Sequence, residues 1–464
     1  MRDHSKERSP KDFEDFSTTL DGEVCHRTQP SYEHWHQQSH WNAREFKRFP
    51  DCIVRAQSVN DVVATVRFAR SQNLSICVRS GGHSFSGTFL RRDGILLDMA
   101  GLRQIDFDAT RMEAVVGPGV SSGELSRELA RFGCGFPTGH TGSVGIAGFL
   151  LGGGLGINFG AWGAISAFNV MALDVVMADG QLKHVSPDEN QELLWAARGA
   201  GPGLFFAVVR FHLKCMPLPN AITARSLRLP FGKMGAALAE IACIDPDQRL
   251  QVMLAVIPAA DGTGADEDHS REALLSTIAF ADDAASATAL HASVIERLEP
   301  LSSEPASVEQ STSFEAIHHQ GDETFSVGRY RTDNILTERP EEAVRILASH
   351  LSRQPSSESL PLFIWRGSPE LPDAAYSATG SFYFSTYARW REPKDDEVNR
   401  QWLIALYDEL QAVASHCYIN EFDLEARSSD AKRCFSPSHW QRLLELKRVH
   451  DPENVFHDFY LGKC

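Results

Sequence analysis

Residues 78–87 read VRSGGHSFSG, an apolar run that ends on Gly81-Gly82-His83 in a polar loop. An imidazole near neutral pH can act as a nucleophile, a proton carrier or a metal ligand. Two glycines before it let the backbone come close to whatever the ring meets. A second unusual stretch, residues 139–163, reads GHTGSVGIAGFLLGGGLGINFGAWG and holds ten glycines in 25 positions. Gly139, Gly142, Gly145 and Gly148 recur at every third residue, followed by Gly152, Gly153, Gly154 and Gly156. Ordering a glycine costs conformational entropy, so this density points to something that needs the side chains gone. Backbone N–H groups closing on a pyrophosphate would be one such use. Val144, Ile146, Phe149, Leu150 and Leu151 are interspersed, which is wrong for a flexible linker.

The usual nucleotide fingerprints are missing. No G-x-G-x-x-G lies between a strand and a helix, and no G-x-x-x-x-G-K-[ST] occurs. Gly119-Val120-Ser121-Ser122-Gly123 matches the G-x-S-x-G elbow of α/β hydrolases, which would make Ser121 a nucleophile. Gly117-Pro118 breaks the strand before that turn, and Ser121 with Glu124 reads as a helix cap, so the match is expected to be a decoy. His34, His36 and His40 have no third ligand nearby and are expected to face solvent, as are His318 and His319; no metal site is expected.

The elements that must hold these residues are legible in part. Ser58 and Asp61 open a helix with Val59, Val62, Val63, Val66 and Ala69 on one stripe, ended by Asn73. Leu74–Arg79 reads as the strand that delivers His83. Gly94–Met99 and Met112–Val116 are further strands, and a helix from Ser121 stops at Gly133. Leu173–Ala178 and Gln181–Val185 flank the hairpin turn Asp179-Gly180, and Leu204–Leu213 is a strand. Leu218-Pro219 marks a boundary. Beyond it, strands at Leu250–Ile257, Leu362–Arg366 and Ser381–Tyr387 alternate with helices at Pro340–Arg353 and Asp396–Ser415, an α+β pattern. Asp261–Glu272 reads as a solvated acidic loop.

With 464 residues the chain suits two or three domains. A net charge of −16 excludes nucleic acid and anionic membranes as partners. No window is apolar enough to span a bilayer, and the opening residues MRDHSKERSP lack the apolar stretch of a signal peptide, so none is expected. Nine scattered cysteines without a C-x-x-C fit reduced thiols and a cytoplasmic location. No feature sets an oligomeric state.

Together VRSGGHSFSG, FPTGHTGSVGIAGFLLGGGLG and LKRVHDPENVF (Leu446–Phe456) resemble the berberine-bridge-enzyme-like FAD-linked oxidases of the vanillyl-alcohol-oxidase (PCMH-type) superfamily. The resemblance covers roughly residues 46–217 and 418–456. It implies a two-part FAD-binding domain over 46–217, a substrate domain over 218–417 with an antiparallel sheet covered by helices, and a segment, 418–464, returning to the FAD domain. It further implies that His83 is joined to the flavin 8-methyl carbon. Arg79, Ser80, Gly81, Gly82, His83 and Ser84 would wrap the pyrophosphate. Gly87, Pro137, Thr138, Gly139, Thr141, Gly142, Ser143, Gly145, Gly148, Gly153, Gly156, Asn158, Val208 and Asn454 would complete the cofactor site. Some relatives attach flavin a second time through a cysteine in G-x-C-P-x-V-G; Thr141 stands there instead, so a single attachment is expected, with Cys134 merely packing. Val144 occupies the position that gates oxygen, and valine is associated with access.

The resemblance also points to Tyr418-Ile419-Asn420 as the Y-x-N segment, on a strand facing the flavin, whose tyrosine takes the substrate proton. A core tyrosine is the competing reading. Tyr383, Ser385 and Tyr387 alternate with Phe382 and Phe384, and their polar face would line a substrate pocket or meet solvent. The implied activity is hydride removal from an alcohol or amine carbon of a small organic substrate. Electrons would pass to molecular oxygen with release of hydrogen peroxide, or to another acceptor if the enzyme is a dehydrogenase.

Overall fold

The structure, a computed structural model, describes residues 10–259, 271–302 and 304–459. Most of the acidic stretch 261–272 lies outside them.

The first sheet has four strands in the order Glu23–His26, Cys52–Arg55, Ile95–Asp98 and Ile76–Arg79, the last three mutually parallel. Its crossover helix, Val59–Ser71, starts where expected. Ser58 Oγ accepts the Asp61 N–H while the Asp61 carboxylate accepts the Ser58 N–H. Val62, Val66 and Ala69 bury against the sheet, and Asn73 turns the chain at φ 54°. Residues 455–457 return to this sheet: Ile76 N–H bonds Val455 O at 2.6 Å and His457 N–H bonds Ile76 O at 3.1 Å.

Five antiparallel strands form the second sheet, ordered Ile105–Asp108, Glu113–Val116, Ala207–Lys214, Val170–Val176 and Leu182–Val185. The Asp179-Gly180 turn joins the last two, with Gly180 at φ 77°. Val176, Ala178, Ala207 and Val209 share one core with Val62, Val66 and Ile76, which welds the two sheets together.

The third sheet has seven antiparallel strands: Gln310–Ser311, Ala221–Pro230, Arg271–Ala281, Leu250–Pro258, Leu360–Trp365, Phe382–Trp390 and Arg329–Thr337. Helices Met234–Ile244, Ala284–Leu298, Pro340–Leu351 and Asp396–Leu410 cover one face. Period-two alternation sorts Phe382–Trp390 cleanly. Phe384 stacks under Tyr407 of the covering helices, and the Tyr407 hydroxyl donates to Thr386 Oγ1 at 3.1 Å. Tyr387 faces the other way, against Phe85 and Phe325. The chain is therefore α+β, with two small sheets facing one large helix-backed sheet.

Two expectations about histidines fail. His36 is 3% exposed and its Nε2 contacts Arg48 O at 2.9 Å; His318 is 5% exposed and its Nε2 lies 3.2 Å from Thr138 Oγ1. Each follows a buried aromatic by one helical turn, Tyr32 and Phe314 respectively, so each lies on its helix's inner stripe. The eight described cysteines are all free, and all but Cys243 are buried. Among the described residues no helix is long and apolar enough to cross a membrane.

Candidate active site

A cavity of about 890 Å³ opens between the small sheets and the uncovered face of the large one. Its size is near the top of the range of about 300–1,000 Å³ for small-molecule sites. Strand Ile76–Arg79 ends at its wall. Arg79 is anchored there, Nη1 to Asp98 Oδ1 at 2.7 Å and Nε to Ser39 O at 2.9 Å. The chain then turns through Gly82 at φ 72°, where a Cβ would strike Ser39 O at 2.5 Å.

His83 follows. Its ring stacks on Trp41 with centroids 5.2 Å apart, and Trp41 stacks in turn on Tyr330 at 4.8 Å. Among the described residues the imidazole has no hydrogen-bond partner. Burial brings its pKa down to about 4, opposed by Asp322 and helped by Arg79, so the ring is neutral at pH 7.

The glycine belt passes against this loop. Gly81 and Gly145 pack back to back, since a Cβ on either would lie 2.7–2.8 Å from the other's backbone. Helix Ser122–Ala130 docks the belt through Ser122 N–H to Val144 O and Gly123 N–H to Gly142 O, at 2.8 and 2.9 Å. The Ser143 hydroxyl donates to Asp322 at 2.7 Å. Ser121 caps that helix: its Oγ bonds Glu124 at 2.8 Å and no histidine, which closes the hydrolase reading.

Of the residues expected at the cofactor, Arg79, Ser80, Gly81, Gly82, His83, Ser84, Gly139, Thr141, Gly145, Gly148 and Val208 line the cavity, as do Val144, Tyr418 and Asn420. Gly148 is the belt position at which a Cβ would meet nothing. The others sit behind the wall. Gly87 packs on Phe46 and Arg48, and Gly142 on His318 and Asp322. Gly153 packs on Tyr376, and Gly156 on Pro137 O. Thr138 bonds Ser126 and His318, Ser143 bonds Asp322, Asn158 Oδ1 accepts no bond among the described residues, and Asn454 O accepts from Ser75.

Tyr418 lies in no strand, contrary to expectation; it precedes a 3-10 turn, Ile419–Glu421. What replaces the strand is a clamp by Asn334. Its Nδ2 donates to Tyr418 O at 2.9 Å and its Oδ1 accepts Tyr418 N–H at 2.6 Å. Below, the buried pairs Arg331–Asp423 and Arg427–Asp333, at 2.6 and 2.5 Å, fix the following turn. The Tyr418 hydroxyl accepts two N–H groups, from Gly154 backbone and Asn420 Nδ2, each at 2.9 Å. Burial and the nearby Glu421 carboxylate nevertheless hold its pKa well above 10.

Glu421 itself was not singled out in the sequence. One carboxylate oxygen accepts hydroxyls from Tyr383, from Ser385 at 3.1 Å and from Tyr387 at 2.8 Å. The only signal was an acid one residue after Asn420, flanked by Ile419 and Phe422. Away from the cavity, Asp174, His184 and His212 gather their ligand atoms within 4.8 Å, but Arg210 meets the Asp174 charge at 3.2 Å.

The fold and the site define a chamber large enough for a cofactor and a small substrate, with a neutral, unpartnered imidazole on its wall. Residues 50–186 match the model of the FAD binding domain. FAD-linked oxidoreductase janO of Penicillium janthinellum is 30% identical over 397 residues, covering 82% of this chain and 84% of its own. The (R)-6-hydroxynicotine oxidase of Paenarthrobacter nicotinovorans is 38% identical over 184 residues, 40% of each chain. Among solved structures, 6-hydroxy-D-nicotine oxidase from Arthrobacter nicotinovorans superposes with TM-score 0.79 at 23% identity, covering 96% of this chain and 98% of that one. A berberine bridge enzyme variant gives 0.82 at 20%, covering 98% and 100%. The chain belongs to the FAD-linked oxidoreductases, and its cofactor is FAD; it shares its fold with the berberine bridge enzyme.

Proposed function

We propose that the protein is an oxidase that carries FAD on a single covalent bond to His83 and takes hydride from an alcohol or amine carbon of a small organic substrate. The observation that carries this reading is one cavity lined by the unpartnered His83 imidazole, the belt loop at Val144 and the Tyr418 hydroxyl. The residues fit the cofactor. A neutral imidazole has a free nitrogen lone pair for the bond, Trp41 fixes its plane, and Gly148 leaves open space beside the belt. Thr141 on the cavity wall has no thiol for a second bond. Residues 46–217 and 418–464 would form the flavin part and 218–417 the substrate part.

Bound FAD supplies the hydride acceptor. Tyr418 acts as the phenolate: its oxygen takes the substrate O–H or N–H proton and ends as a neutral hydroxyl. The Gly154 and Asn420 N–H groups stabilise the negative charge it carries before the transfer, against the burial that disfavours it. Asn334 holds the ring in place through the backbone. Val144, between Gly142 and Gly145, leaves room for oxygen to approach.

Acid precipitation tests the attachment. Yellow colour should stay in the wild-type pellet, with an intact mass one FAD above the chain. In His83→Ala it should move to the supernatant. Colour released from wild type, or retained in the variant, overturns the His83 bond. Peroxide release during turnover in air separates an oxidase from a dehydrogenase.

A further inference from the structure

Glu421 accepts all three of its hydroxyl bonds, from Tyr383, Ser385 and Tyr387, on Oε2. Its other oxygen, Oε1, has no partner among the described residues, and the residue lines the cavity. Among the described residues no arginine, lysine or histidine pairs with it, and burial raises its pKa against the three hydroxyl bonds. A carboxylate taken out of water without a cation is expensive unless a counter-charge arrives. Three hydroxyl donors converging on one oxygen offset part of that cost and favour the ionised form, and they leave the other oxygen free for a ligand in the chamber that the residue lines. Around it stand aromatic walls: Tyr383 meets Tyr418 edge-on with centroids 5.9 Å apart, and Tyr387 packs on Phe325 at 4.8 Å. Carboxylate and aromatic faces together form the environment an ammonium prefers.

We propose that Glu421 is a recognition carboxylate for a cationic amine. The substrate's ammonium N–H donates to Oε1, with Tyr383 and Tyr387 as its walls. A bound cation would also offset the repulsion that Glu421 exerts on negative charge at Tyr418. The proposal deepens the oxidase reading and rests on the cavity being the flavin and substrate chamber.

The test uses the flavin-loaded protein and two matched probes, benzylammonium and benzyl alcohol, with binding followed by flavin difference absorbance and calorimetry. Wild type should bind benzylammonium about tenfold or more tighter than the alcohol, the worth of one hydrogen bond to a charged group. Glu421→Gln keeps the shape and should lose that preference while alcohol affinity changes by less than about twofold. Glu421→Asp should retain part of it. Wild type that does not prefer the ammonium overturns the proposal, whether or not the variants fold. So does a Gln variant that keeps the preference or loses both probes equally. Protein that carries flavin yet ignores the charge defeats this subsite alone, whereas protein that carries no flavin defeats the chamber reading and the subsite with it.

Discussion

Replacing Tyr418 by phenylalanine removes one oxygen that has two structural duties and one proposed chemical one. Structurally it accepts the Gly154 and Asn420 N–H groups, each at 2.9 Å. The Asn420 amide keeps its other bond, to Phe149 O at 3.0 Å, so the orphan is chiefly the buried Gly154 N–H. Leaving one such donor unpaired costs about 1–3 kcal/mol, which should appear as lower stability in urea unfolding. Chemically, losing a general base slows the proton-coupled step by about 10²–10⁴, or roughly 3–5 kcal/mol of barrier. FAD should stay bound, because the attachment proposed at His83 lies on another element. The decisive assay is anaerobic stopped-flow absorbance with saturating substrate, comparing flavin bleaching in variant and wild type at equal flavin content. A Tyr418→Phe protein that bleaches within about threefold of wild type would refute the assignment, however much stability it had lost. The proton would then have to leave to another group, and Glu421, next along the chain from Asn420, is the first to examine.

Two further perturbations address other parts of the wall. Val144→Leu adds a methylene beside the belt loop; it should slow the return of flavin absorbance on mixing with aerated buffer while leaving anaerobic bleaching unchanged, and an unaltered return would remove the gate. His140, on the wall near Gln251, has its pKa lowered by burial from 6.5 to about 4, so the unfolded chain binds the proton more tightly. The stability it confers is complete above pH 6.5 and is lost as pH falls toward 4, by up to about 3 kcal/mol. Urea unfolding at pH 7 and pH 4.5 should therefore show a smaller difference in His140→Gln than in wild type, and equal differences would contradict the burial argument.

Most local signals were read correctly. The capping boxes at Ser58 and Ser121, the Asp179-Gly180 turn and the alternation through Phe382–Tyr387 all involve residues within one turn or one strand of each other. The missed features are long-range. Asn334 clamps a residue 84 positions away, and Trp41 reaches His83 from a separate segment. Glu421 meets hydroxyls 34 to 38 positions upstream, a pairing that exists only once the seven-stranded sheet has formed. His36 and His318 are the exceptions, misses of a local kind: each lies one helical turn after a buried aromatic, Tyr32 and Phe314, and the inner stripe of so short a helix is easily overlooked.

The glycine belt shows how a correct signal can carry an incomplete cause. Its density implied that something approaches where side chains would sit, and most of those positions are taken by the protein itself. A Cβ on Gly152 would fall 1.9 Å from Asn420 Oδ1, one on Gly156 2.2 Å from Pro137 O, and one on Gly145 2.8 Å from Gly81. The missing side chains therefore bring three distant segments into contact: the His83 loop, the belt and the Tyr418–Glu421 turn. Gly152 makes the point most sharply, because the residue that fills its Cβ position is the one that donates to the Tyr418 hydroxyl. Any side chain there would push Asn420 aside and take away one of the two hydrogen bonds that favour negative charge on the proposed base. The belt thus serves the chemistry through backbone packing first, and Gly148, facing open space, is where it would meet the cofactor directly.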